Sequence, residues 1–183
     1  MKALVTSLLL MLALIVVATL ATCGLQAQSS SPVASELRTA SWGYEAVKTN
    51  LIRASEKLSD ADYAYKAAPD IRTVAELFGH IADVQARLCG MVTGEQKALN
   101  AGKMTAKADL VKALKTSFEV CDAAWQKVTD ANGSEMVGSG RGAQTKMGEL
   151  EHVVIHDNEE YGYLAVYMRL RNIVPPSSDR SGN

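Results

Sequence analysis

Apolar residues recur every three or four positions along most of this chain, and that period predicts helices. Val47, Leu51, Ala54 and Leu58 line one side of a first helix over residues 35–58. Leu77, Ile81, Val84, Leu88 and Val92 do the same for a second, and Leu110, Leu114, Phe118, Cys121, Trp125 and Val128 give the most regular stripe, over residues 106–130. The second helix has a legible start, because Thr73-Val74-Ala75-Glu76 fits a capping box, and a legible stop at Gly94. A fourth helix is predicted over residues 145–171, closed by Val174-Pro175-Pro176.

Between these stretches the chain changes character. Ser59-Asp60-Ala61-Asp62 ends the first helix, and an irregular connection runs through Pro69-Asp70. A long link spans residues 94–104, Ala131-Asn132-Gly133-Ser134 breaks the third helix, and Gly138-Ser139-Gly140-Arg141-Gly142 reads as a flexible surface segment. Residues 175–183 are expected to form a disordered tail. With no convincing strand, repeat or second domain, the pattern predicts an all-α four-helix bundle over residues 33–174.

The N-terminus belongs to a different class of segment. Lys2 precedes an apolar run over residues 8–20, followed by small residues, as in a secretory signal peptide over residues 1–27. Cleavage after Ala27 is one reading. Lipidation at Cys23 is another, because Leu20-Ala21-Thr22-Cys23 approximates a lipoprotein box, and a retained anchor is the third. The expected location is therefore exported, periplasmic or secreted, with membrane attachment only if Cys23 is lipidated. About 155 residues remain, enough for one core. With 19 basic and 20 acidic residues the formal charge is −1, which leaves no electrostatic footprint for nucleic acid. Cys89 and Cys121 are left as an even pair, read equally well as two small buried hydrophobes or as a bridge between helices.

Only three histidines are present, His80, His152 and His156. Measured from His152 at about 100° per residue, His156 lies at about 40°, Tyr167 at about 60°, Glu160 at about 80°, Val153 at about 100° and Leu164 at about 120°. His156 and Glu160 thus fall within an apolar arc and turn toward the bundle interior. Burying a lone carboxylate is costly unless it is paired or bound to metal. A divalent ion held by His156, Glu160 and His80, the last at the margin of the second helix's stripe, would relieve that cost. Two histidines and a carboxylate suit zinc, iron, nickel or manganese. His152, at the edge of the arc, reads as a supporting or surface residue. The blander alternative is that the histidines decorate a surface and Glu160 pairs with a lysine or arginine. Glu149-Leu150-Glu151-His152 contains Glu-x-x-His, but a di-iron bundle needs that motif twice.

At Arg72-Thr73-Val74-Ala75-Glu76-Leu77-Phe78-Gly79-His80-Ile81-Ala82-Asp83, at Ser117-Phe118-Glu119-Val120-Cys121-Asp122, and at His156-Asp157-Asn158-Glu159-Glu160-Tyr161-Gly162 the chain resembles the DinB-like superfamily of metal-dependent four-helix proteins. The resemblance extends through Tyr167-Met168-Arg169-Leu170 to Val174-Pro175-Pro176-Ser177-Ser178 and covers most of the region after the leader. It implies a bundle with an overcrossing between the second and third helices, which the long link suits. It also implies a metal held by three histidines, whose positions here are His80, His156 and Glu160, so that Glu160 stands where a histidine is expected. Implied functions are a thiol-dependent transferase or isomerase; a metal-activated water acting as a hydrolase on a small-molecule substrate is the variant that better suits an exported protein. A non-catalytic metal or small-ligand binder, a bundle that has lost its metal, and a homodimer are the remaining expectations.

Overall fold

The computed structural model describes residues 32–180. Four long helices dominate: α1 (Pro32–Lys57), α3 (Val74–Thr93), α4 (Lys107–Lys127) and α5 (Lys146–Leu170). A one-turn helix, α2 (Asp60–Tyr63), interrupts the first connection. The expected caps are in place. Thr73 Oγ1 accepts the Glu76 N–H at 3.1 Å, Glu76 Oε2 accepts the Thr73 N–H at 2.7 Å, and Gly94 ends α3 in the left-handed region at φ 78°. At the head of α5, Thr145 Oγ1 accepts the Gly148 N–H. The expected leader, including Cys23, and residues 181–183 lie outside the described residues. Among the described residues no helix is long and apolar enough to cross a membrane.

Pairings between helices give their directions. Gln85 meets Ser117 and Cys89 meets Cys121, the same offset in sequence, so α3 and α4 run parallel. The Tyr44–Asp122 hydrogen bond and the Glu56–Lys115 ion pair step in opposite senses, so α1 and α4 are antiparallel. Arg72 meets Tyr167 and Gln85 meets Asp157, which makes α3 and α5 antiparallel. Parallel neighbours cannot be joined by a tight turn. The chain leaving Gly94 must therefore run back along α3 before α4 can begin, and this is the overcrossing link. It is anchored where Asp83 Oδ1 and Oδ2 accept the N–H groups of Ala101 and Gly102, each at 2.9 Å.

Gly79 lets the link lie this close. A Cβ there would sit 2.6 Å from the Ala101 carbonyl oxygen and 2.9 Å from Gly102 Cα, both backbone atoms with little freedom to yield. Gly79→Ala is expected to lower stability by about 1–3 kcal/mol, seen as a fall in the denaturant midpoint at unchanged slope. The position matters because the next residue is His80.

The core between the helices is continuous, with Tyr44, Leu51, Phe78, Ile81, Leu88, Leu110, Leu114, Phe118, Leu150 and Leu164 all buried. Two expectations are corrected outside it. The segment after α4 contains a small antiparallel pair, β1 (Met136–Val137) with β2 (Gln144–Thr145), where no strand is expected. Strands this short carry no readable alternation. The tail expected to be disordered from residue 175 is docked as far as Asp179. Pro175 and Pro176 are buried, and Pro176–Ser178 forms a 3-10 turn. Ser177 donates its N–H to Tyr161 Oη at 2.9 Å, and Lys57 pairs with Asp179 at 2.7 Å. The prolines stop α5 but also fold the chain back onto it, and a polar composition does not reveal such contacts. The 59–62 stretch ends the first helix as expected, since α1 stops at Lys57, and it also nucleates α2 through a second capping box between Ser59 and Asp62.

Candidate metal centre

His80 sits in the second turn of α3, while His156 and Glu160 lie one turn apart on α5. The antiparallel crossing of these helices brings all three together. His80 Nε2 lies 3.2 Å from His156 Nε2 and 3.4 Å from Glu160 Oε1, and His156 Nε2 lies 3.8 Å from the same oxygen. Among the described residues this is the group of histidine, cysteine or carboxylate donors close enough to share one ion. A triangle with these sides has its centre about 2.0 Å from every corner, within the usual range for zinc or similar metals bound to nitrogen and oxygen.

The chemistry of the donors points the same way. Glu160 is buried, and its Oε2 accepts no hydrogen bond. Burial raises its pKa, against the pull of His156 and Arg72. Burial lowers the pKa of His80, and the nearby positive charge of Arg72 and of a protonated His156 adds to this. A neutral imidazole is what a metal requires, and a cation at the centre would neutralise the stranded carboxylate.

Asp157 is the important residue that the sequence reading missed. Its carboxylate is fully buried, with Oδ1 3.1 Å from His156 Nδ1 and Oδ2 accepting the amide N–H of Gln85. Burial raises its pKa, and the bonds from His156 and Gln85 oppose that. A signal was available: at about 140° on the helical scale Asp157 falls between Leu164 and Met168, deep in the apolar arc. Conversely, His152 is exposed and is not among the donors gathered at the centre. Its Nδ1 stands 3.6 Å from Glu149 Oε2, and no second Glu-x-x-His cluster gathers among the described residues.

His80 alone of the three donors lines an open groove of about 870 Å³. Lys66, Arg72, Glu76, Asp83, Tyr163 and Tyr167 also contribute to its wall. Two of these acids are occupied, Glu76 with the Thr73 cap and Asp83 with the link. Tyr167 Oη donates to the Arg72 carbonyl at 2.9 Å, fixing the backbone from which the Arg72 side chain reaches the groove.

A family model described as the DinB superfamily matches residues 44–164. Among solved structures, a DinB-like protein from Bacillus cereus aligns with a TM-score of 0.61 at 19% identity, over 74% of this chain and 91% of that one. A DinB-like protein from Bacillus subtilis aligns with a TM-score of 0.58 at 20% identity, over 73% and 92%. A variant of a mycothiol-dependent maleylpyruvate isomerase gives 0.53 at 16% identity, over 75% and 66%. No curated protein sequence matches.

Proposed function

The chain belongs to the DinB superfamily, and from that premise we propose that it is an exported metal-dependent hydrolase whose divalent ion is held by His80, His156 and Glu160. The observation that carries this reading is the triangle of two Nε2 atoms and one Oε1 beside a buried carboxylate oxygen with no partner. A divalent ion bound there supplies Lewis acidity, able to activate water or a thiol near neutral pH. The protein's own part is positional. His80 opens the centre to the groove, so a small-molecule substrate arrives from that side. Arg72 and Lys66 meet it with positive charge, which suits a substrate carrying a carboxylate or phosphate group.

The Cys89–Cys121 disulfide supports an oxidising compartment and therefore export. In such a compartment reduced low-molecular-weight thiols are scarce, which favours water as the nucleophile. Thiol-dependent transfer is the second reading, supported by the likeness to a mycothiol-dependent isomerase.

Chelation followed by reloading with zinc, iron(II), nickel or manganese tests the proposal. One ion per chain is expected, with hydrolysis of small anionic esters lost on chelation and regained on reloading. Turnover that needs an added thiol selects the second reading. Stoichiometric binding without turnover leaves a non-catalytic metal-binding protein, and no specific uptake removes the centre. Glu160→His is expected to bind zinc at least as tightly as the parent chain, because it completes a three-nitrogen set with the same helical placement; a loss of binding would contradict the proposed donor geometry.

A further inference from the structure

Ser117 on α4, Gln85 on α3 and Asp157 on α5 are each 0% exposed and bonded in series across the core. Buried polar side chains are costly, and three apolar residues would pack the same space with less risk. We infer that this chain of bonds is a positioning device that fixes which nitrogen of His156 carries the proton, and so keeps Nε2 free to ligate. The structural half of this inference stands by itself; its consequence for metal rests on the proposed centre.

Donor and acceptor capacities dictate the order. An ionised carboxylate only accepts, so Gln85 must turn its NH₂ toward Asp157 Oδ2 and its carbonyl oxygen toward Ser117. Ser117 Oγ can satisfy that oxygen because it is a donor, although its single proton also has the Leu114 carbonyl within 2.7 Å. Asp157 Oδ1 remains for His156, and Nδ1 must donate to it. The lone pair of the neutral ring is then on Nε2, the atom 3.2 Å from His80 Nε2 and 3.8 Å from Glu160 Oε1. One turn further along both helices, the Cys89–Cys121 bridge ties α3 to α4 and holds Gln85 and Ser117 opposite one another.

The device makes a prediction for the parent chain and for one variant. Nitrogen-15 NMR of the metal-free parent chain at mildly alkaline pH should show the His156 proton on Nδ1, with Nε2 bare. Asp157→Ala removes the acceptor that faces Nδ1, while Gln85 can still donate to Ser117 when the serine proton goes to the Leu114 carbonyl. Nothing then holds the ring proton on Nδ1, so the same spectrum should show it shared with Nε2, and zinc affinity is expected to fall roughly 10–100-fold. Unchanged tautomer and affinity in Asp157→Ala would overturn the inference. If Asp157→Ala fails to fold, the parent chain decides, because a metal-free His156 protonated on Nε2 is incompatible with the device. The NMR readout needs no metal. Failure of the parent chain to bind zinc would therefore remove the centre without touching the tautomer result.

Discussion

His156→Ala is expected to abolish stoichiometric uptake of a divalent metal while the helical circular dichroism stays close to that of the parent chain. The imidazole supplies one of only three donors, and its removal leaves His80 and Glu160 with a gap on the α5 side. Structural zinc in small peptides is bound with about 10–16 kcal/mol over four ligands, so one ligand accounts for roughly 2.5–4 kcal/mol, or about two to three orders of magnitude in affinity. The fold should tolerate the change because His156 lies outside the apolar cluster that holds the helices together. Asp157, which loses its partner, keeps the bond from Gln85. Equilibrium dialysis with elemental analysis reads the result. Metal content unchanged in this variant would remove the site altogether.

The second large effect concerns stability. Replacing Cys89 and Cys121 together by alanine is expected to lower the free energy of unfolding by roughly 3–4 kcal/mol, because the bridge closes a loop across a sequence separation of 32 residues. The topology explains why a covalent tie is useful here. α3 and α4 are parallel, so the chain between them is a long return path instead of a tight turn, and its freedom in the unfolded state is correspondingly large. Both cysteines are fully buried at the contact between the two helices, and alanine fits without overpacking. Denaturant unfolding of the double variant against the oxidised parent measures the difference. Equal midpoints would mean that the bridge contributes no net constraint.

The two expectations touch different parts of the molecule. Loss of His156 should remove metal with little change in stability. Loss of the disulfide should lower stability while the centre still binds under native conditions. A cysteine variant that folds yet loses metal would show that the α3–α4 register is transmitted to the site, along the path from Ser117 to Asp157.

Much of this was legible in the residues alone because it is local. Helical period and capping chemistry act within a few residues, so the four long helices, the Thr73–Glu76 box and the stop at Gly94 follow from neighbours in sequence. The pairing of His156 with Glu160 is local too, since four residues make one turn. What the period could not supply was the partner of each face. A stripe says which side of a helix is buried, not what is buried against it. The parallel run of α3 and α4, the joining of Cys89 to Cys121, the return of Pro175 and Pro176 onto the bundle, and the bonds from Ser117 through Gln85 to Asp157 all depend on residues distant in the chain. Whether a buried acid is a defect or a working part is decided by what faces it. Only the crossing of α3 and α5 places Gln85 against Asp157 and His80 against His156.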